Sequence, residues 1–592
     1  MNKQILVSAL GAMLLASCAD HFDQNIETVR PGKEAQYGYL EQYDALKEYI
    51  KDRPNFHLGI GTAVDEYNKK ELVYALTNSN FNETVAGNAM KMSSCVADDG
   101  SMNFDKVSEY VKNATDAGLS VYGHTLAWHA QQPNKYLNRL IADKEIPSAE
   151  DNPGLIITSG DPMANTWDYE IYYDLDEPLK AGTTYRISLN VRGSEPGTID
   201  FWPGKKDGSA TQYGAGSFVV AKSAVDNSFT FTPNADIDRM RFCFGKVGGT
   251  LYFDNFILKE EGSDHNIVVN STFDEDDITH WTKVPWVHIS YEIGNVAGGF
   301  IPLLPEEKKE KLTPVLQNWI YGMMEATEGK VKAWDVVNEA ISGVDKNGDG
   351  YYELQSATRG TVTPDDAKNN FYWQDYLGDI DYVRTAVAAA RKGFVDAGGN
   401  PEELKLFIND YNLEAAYDQN KKLISLKHWI EEWEKDGFTK IDGIGSQMHV
   451  SYCMDPVEQK KREDAYVNML NQMVSTGKLV RISELDMGLE VKKNEVKDGE
   501  YPYVQVNTTD MTEEQHKAMR AYYEFIVKKY LEIVPENQQW GICQWCATDS
   551  PANSGWRAGL PVGLWDLDYY RKHTYGGFAA GLGAPEYWNN AK

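Results

Sequence analysis

Residues 331–339 read Val331-Lys332-Ala333-Trp334-Asp335-Val336-Val337-Asn338-Glu339, a short apolar run that closes on a carboxylate. A stretch this short and this apolar reads as a strand covered on both faces. The pattern recurs at Phe56–Val64, Leu119–His124, Leu404–Asp410, Ile441–His449, Leu479–Leu485 and Gln539–Trp545, and Glu83–Asn88 supplies an eighth strand. Helical periodicity fills the intervals at Phe104–Ala117, Glu306–Glu328, Asp381–Ala397, Asn420–Asp436 and Glu513–Val534. Buried strands alternating with helices predict a parallel sheet, and eight of them predict an α/β fold closed as a (β/α)8 TIM barrel.

The rhythm breaks after the third strand. Between about Ser148 and Trp286 the helical period gives way to alternating strands at Thr184–Val191, Ser228–Thr232, Met240–Phe244 and Leu251–Leu258, separated by Gly, Pro and Asp turns. In the first, Tyr185, Ile187, Leu189 and Val191 share one face while Arg186, Ser188 and Asn190 share the other, as a half-buried antiparallel strand requires. The segment is expected to be a β-sandwich of about 130 residues inserted into a barrel loop. The expected plan is residues 37–147 as the first part of the barrel, 148–286 as the insertion and 287–592 as the second part.

Composition narrows the partners. The 592 residues carry 58 Lys+Arg against 88 Asp+Glu, a net charge of -30, which argues against nucleic acid or an anionic membrane surface. The 15 Trp and 35 Tyr suit flat, weakly charged ligands such as sugars. Ile5–Ala16 is too short to span a bilayer and reads as a signal-peptide core. Leu15-Ala16-Ser17-Cys18 resembles a bacterial lipobox, so residues 1–18 are expected to be a lipoprotein signal, Cys18 the lipidated residue and 19–36 a tether. The expected address is the cell envelope, at the outer membrane, and the acidic flank of Asp20 and Asp23 points to its surface. The lipid is the one expected membrane contact, and a monomer is expected. The other cysteines, Cys95, Cys243, Cys453, Cys543 and Cys546, are odd in number and imply no disulfide framework; Cys543 and Cys546 have redox spacing but lack a partner pair and read as buried strand thiols.

Barrel chemistry sits at strand C-terminal ends. Glu339 ends one run and Glu484 ends Leu479-Val480-Arg481-Ile482-Ser483-Glu484. Paired carboxyls there suit glycoside hydrolysis, which needs one protonated acid for the leaving oxygen and one ionised group for the anomeric carbon. Asp486 lies two residues beyond Glu484 and His449 two beyond Gln447, so each pair shares a face in extended geometry. A His between a carboxylate and a second acid can hold the first in place and in charge. His124-Thr125-Leu126-Ala127-Trp128-His129 adds two His and a Trp after another strand.

Five ordered runs, Gly123–His129, Trp334–Ala340, Phe407–Asn412, Gly445–His449 and Ile482–Asp486, resemble glycoside hydrolase family 10, the retaining endo-β-1,4-xylanases. The resemblance implies xylan as substrate, Glu339 as general acid/base, Glu484 as nucleophile and Asn338 as partner of the sugar 2-hydroxyl. It implies that His449 supports the nucleophile with Asp486 behind it. It further implies that His124, Trp128, Gln131, Tyr411 and Gln447 line the −1 site, that Trp545 and Trp556 wall the sugar floor, and that Asn88 and Lys91 contact the non-reducing side. No cofactor is implied. In the resulting double displacement the carboxyls stand about 5–5.5 Å apart. The anionic Glu484 favours the proton on Glu339, and glycosylation of Glu484 removes that pressure.

Two departures bear on specificity. The family usually has Glu before the Asn at position 88, and this chain has Gly87, which implies a −2 subsite that is looser or takes a substituted xylose. Cys543-Gln544-Trp545-Cys546 is also unusual, and no function attaches to it. The strand Leu251–Leu258 resembles the last strand of family 4 and 22 carbohydrate-binding modules, and Asn270–Asp274 with Trp281 resembles an opening one. That inverted order fits either two fused modules or one completed from its other end. Trp167, Trp202 and Tyr213 are candidate sugar platforms. Asp345, Asn347 and Asp349 begin like a calcium loop, but its twelfth position is Ser356, which favours a polar turn. The other functions weighed are a β-glucanase on the same barrel and a non-catalytic glycan-binding lipoprotein.

Overall fold

The computed structural model describes residues 34–147 and 152–588. The expected signal, Cys18 and most of the expected tether lie outside the described residues. The barrel strands are β1 (His57–Thr62), β2 (Glu83–Ala86), β3 (Ser120–Ala127), β4 (Ala333–Asn338), β5 (Lys405–Asp410), β6 (Gly443–Ser446), β7 (Leu479–Lys492) and β8 (Gln539–Gln544). Each pairs in parallel with the next, and β8 pairs with β1, closing the ring. β2 and β4 are buried at every position, as strands with helices outside and side chains inside must be.

The five predicted helices appear as Asp105–Asp116, Pro305–Thr327, Asp381–Asp396, Lys421–Glu434 and Glu513–Ile533, joined by Pro456–Val474. Their starts follow local chemistry. Thr512 and Gln515 form a reciprocal capping box, and Asp455 accepts from the amides of Val457 and Glu458 ahead of Pro456. Among the described residues no helix is long and apolar enough to cross a membrane.

The barrel interior is partly polar. Val85, Tyr122, Ala333, Phe407 and Cys543 pack together, and Arg481 and Glu83 pair at 2.5 Å with almost no exposure. The five cysteines after Cys18 are free, and four are buried, with Cys546 partly so.

Two predicted runs are redrawn. Ile441–His449 divides at Met448, which sits at φ 60°, into β6 and a second strand, His449–Cys453. β7 does not end at Leu485 but continues to Lys492, because neighbours cover it past the ring: His449–Cys453 in parallel and Tyr503–Gln505 antiparallel.

The compact unit Ile141–Leu304 is a sandwich of two five-stranded antiparallel sheets. One is ordered Val225–Phe231, Tyr185–Gly193, Thr250–Glu260, Pro153–Thr158, Ser290–Asn295; the other Trp281–Thr282, Glu170–Leu179, Ile237–Cys243, Gly197–Phe201, Gly216–Val220. Ile187, Leu189, Val191, Leu251 and Phe253 face Ile171, Tyr173, Ile199, Phe201 and Phe242 across one core. The expected end at residue 286 falls short, since Ser290–Asn295 completes a sheet and Gly298–Ile301 pairs with Lys144–Pro147 where the chain enters and leaves. Asn270–Asp274 is a turn and not a strand. Phe273 and Trp281 instead drop into the same core, so one sandwich is completed from its C-terminal side. Trp167 and Tyr213 are exposed and flank Trp202, with ring centroids 6.0 and 5.1 Å from it.

Candidate active site

Glu339 follows β4 in the left-handed backbone region, at φ 54°. That conformation is uncommon outside glycine and marks a constrained position. Its amide donates to Asn409 O at 2.8 Å, and its carbonyl accepts from Gln355 Nε2 at 2.8 Å. Thus held, its carboxyl accepts from two neutral donors, Trp128 Nε1 at 2.9 Å and Gln447 Nε2 at 2.8 Å. His129 stands 4.0 Å away, pushed down to about 4 by burial, and so is uncharged at neutral pH.

Glu484 has different company. Its Oε1 accepts from Asn409 Nδ2 at 2.8 Å, and its Oε2 lies 3.3 Å from His449 Nε2. The parallel pairing of His449–Cys453 with β7 sets His449 beside Asp486 in register, with Nδ1 3.1 Å from Asp486 Oδ2. Burial opposes a charge on His449, but Asp486 and Glu484 outweigh it and push the imidazole up to about 10. It is therefore an imidazolium at neutral pH. Burial also opposes ionisation of Glu484, yet His124, His449 and the Asn409 amide hold its carboxyl below the ordinary value. Asp486 is held low against burial by His449, Arg557 and Trp556. Arg557 Nη1 donates to it at 2.5 Å and Trp556 Nε1 at 2.8 Å.

The remaining predicted residues surround this pair. Asn338 accepts through Oδ1 from Asn409 at 3.0 Å and Gln447 at 3.4 Å, while its buried Nδ2 has no hydrogen-bond partner among the described residues. An orphaned buried donor costs about 1–3 kcal/mol and is explained if a ligand oxygen meets it. His124 pairs with Asp335 at 2.8 Å and stands edge-on to Trp545, centroids 5.5 Å apart. Trp556, 42% exposed, lies edge-on to His449 at 4.6 Å. Lys91 donates to Asn88 at 3.0 Å and sits 4.9 Å over Trp128, and Gln131 reaches Asn88 at 3.4 Å. Tyr411, at the end of β5, lies 3.2 Å under the Lys422 ammonium; burial pushes its hydroxyl up, so it remains a neutral donor.

The loop at Asp345, Asn347 and Asp349 is closed on itself. Asp345 pairs with Lys421 at 2.9 Å and accepts the Gly348 amide, Asn347 accepts the Asp349 amide, and Asp349 accepts from the Tyr351 amide and the Asn347 side chain. The Lys421 ammonium takes the carboxylate that a cation would use. Among the described residues no group of three or more His, Cys, Asp or Glu could hold a metal ion. At Gly87 a Cβ would meet only Thr62 O, at 3.6 Å, so neither contact nor backbone demands glycine.

Asn409, Ser483 and Arg557 are parts of this network that the sequence did not single out. Arg557 is 71 residues from the Asp486 it neutralises, with no local pattern to link them. Asn409 shares the inward face of β5 with Phe407, and a buried amide at a strand end was the available signal.

The fold and the site thus define a parallel barrel with two differently partnered carboxyls at its strand ends. The family model for glycosyl hydrolase family 10 matches residues 45–150 and 301–580, more than half of the chain, and the chain belongs to that family. It is 29% identical over 267 residues to endo-1,4-beta-xylanase A of Thermotoga maritima, covering 45% of this chain and 20% of that protein. It is 31% identical over 267 residues to endo-beta-1,4-xylanase Xyn10C of Cellvibrio japonicus, covering 43% of this chain and 37% of that one. The matches therefore span less than two thirds of these relatives' lengths. The solved structure of native xylanase10C from Cellvibrio japonicus superposes with a TM-score of 0.48 at 20% identity, over 91% of this chain and 73% of that chain.

Proposed function

We propose that the barrel hydrolyses β-1,4-xylosidic bonds within xylan chains with retention of configuration, Glu484 acting as nucleophile and Glu339 as acid/base. The observation that carries this is the contrast between the carboxyls. Glu484 faces an imidazolium and an amide donor, which favour the anion that attacks the anomeric carbon. Glu339 has the N–H groups of Trp128 and Gln447 as its hydrogen-bond partners, which fix the direction of its carboxyl, and on this reading it gives a proton to the leaving oxygen and later takes one from water. The orphaned Asn338 Nδ2 meets the sugar 2-hydroxyl, and His124, Gln131, Tyr411, Trp545, Trp556, Asn88 and Lys91 line the sugar path. Membership in family 10 and the names of the relatives support xylan as the substrate.

Sugar release from xylan, mixed-linkage glucan and cellulose should be greatest on xylan and disappear in Glu484→Ala. Preference for a glucan would transfer the same mechanism to that polymer, a reading favoured by the open space at Gly87. The first product seen by proton NMR should be the β-anomer; an α-product in the fresh time course would overturn double displacement. Gly87→Glu should improve cleavage of unbranched xylan relative to branched xylan, and equal effects on both would remove the specificity argument.

The sandwich is proposed to bind the same polymer through Trp167, Trp202 and Tyr213, which raises substrate concentration at the barrel by tethering. Loss of insoluble-xylan retention in a Trp167→Ala/Tyr213→Ala variant of the full chain checks this. A monomer lipidated at Cys18 and held at the outer membrane completes the proposal. Incorporation of labelled palmitate by wild type and equally by Cys18→Ala would refute the anchor.

A further inference from the structure

Asn409 is fully buried at the end of β5, flanked in register by Asn338 on β4 and Gly445 on β6. A carboxylate only accepts hydrogen bonds, so the atom of Asn409 that faces Glu484 Oε1 at 2.8 Å is the amide nitrogen. The second hydrogen of that nitrogen goes to Asn338 Oδ1, at 3.0 Å. Asn338 is thereby turned so that its own NH2 group is the unpartnered one. Behind Asn409, Ser483 Oγ donates to Oδ1 at 2.6 Å and locks the amide against a flip. Space for this amide comes from β6. A Cβ at Gly445 would lie 2.5 Å from Asn409 Oδ1, so a larger residue there would displace it. The backbone carbonyl of Asn409 also takes the Glu339 amide.

We infer that Asn409, locked by Ser483, is a positioning residue that sets both the Glu484 carboxylate and the donor face of Asn338. The inference rests on the reading of Glu484 as nucleophile. One amide thus couples the group that attacks the sugar to the group that holds its hydroxyl, and its backbone steadies the acid. Loss of the amide leaves Glu484 with the His449 contact alone and lets Asn338 turn its carbonyl toward the sugar, which should lower kcat more than it raises KM.

The test is Asn409→Asp with Ser483→Ala and Ser483→Thr, assayed on xylan across pH. Asn409→Asp replaces a donor by an anion of nearly the same shape, and the acidic limb of kcat/KM should move up by more than about one pH unit with a kcat loss of about 100-fold. The other charged groups that face Glu484, namely His449 with Asp486, His124, Lys91 and Glu339, are unchanged, so the shift belongs to position 409. Ser483→Ala should lose about tenfold in kcat and Ser483→Thr should recover most of it, a rescue that a packing role would not produce. A folded Asn409→Asp with an unmoved acidic limb overturns the inference; if that variant does not fold, equal activity of the two Ser483 variants overturns it. A wild-type protein inert on every β-1,4-glycan would instead remove the proposed function, and the inference with it.

Discussion

Glu484→Gln is expected to lower kcat on xylan by about 10⁴-fold or more, with the barrel's melting temperature close to wild type. The substitution keeps the shape of the side chain and an oxygen for the Asn409 amide, but it removes the attacking anion and leaves His449 with Asp486 as its one counter-ion. Glu339→Ala should behave differently. With xylan the leaving oxygen needs a proton, and a loss of similar size is expected. With an aryl xyloside whose phenolate leaves unaided, glycosylation of Glu484 should proceed at near wild-type rate and a covalent glycosyl-enzyme should accumulate, because no base remains to activate water. Burst kinetics and intact-protein mass spectrometry read this out. Equal losses for both variants on the activated substrate would exchange or dissolve the assigned roles.

That experiment separates two groups whose positions, and some but not all of whose partners, were legible in the chain. β4 and β7 are recognisable because continuous apolar runs end on Glu339 and Glu484, and an interior strand leaves little room for another explanation. Asp486 and His449 follow from the period of two along a strand. Their neutralising arginine does not, because Arg557 arrives from a loop and meets Asp486 only once the ring has closed. Asn409 was hidden for a related reason: it carries no charge, and its importance arises from the β4–β5–β6 register, which no single strand records. In the sandwich, strands with clean alternation were readable. Glu170–Leu179 was obscured because Glu170 and Tyr172 are buried like Ile171 and Tyr173, so its first half is covered on both faces, and its end carries acidic residues and a proline, which blunt the apolar–polar contrast. The end of the sandwich was placed too early because Ser290–Asn295 is a polar edge strand, with little in its composition to distinguish it from a loop.

The barrel's interior supplies the largest expected stability effect. Arg481 and Glu83 are 0% and 1% exposed and 2.5 Å apart. Glu83 also meets His57 at 3.1 Å and Trp540 Nε1 at 3.3 Å, and the Arg481 guanidinium lies 3.6 Å from the centroid of Tyr122. Burial opposes charge on both partners, but each is held ionised by the other: the Glu83 carboxyl is pulled down to about 2 by Arg481 and His57, and Arg481 is pushed further up. Removing one partner strands the other as a buried, unpaired charge. Arg481→Met should therefore cost about 3–5 kcal/mol in unfolding free energy, as should Glu83→Leu, which orphans the guanidinium. The double variant removes both charges and should recover most of that loss, since two apolar side chains of similar reach need no counter-ion. Chemical denaturation of the four proteins of this cycle measures the coupling. Losses that simply add would mean that water or His57 already compensates Glu83 and that the pair is not what holds the interior together. A recovered double variant would bear on the site as well, because Tyr122, freed of the guanidinium, still donates to Asp335 at 2.6 Å and through it orients His124. Its activity should return together with its stability.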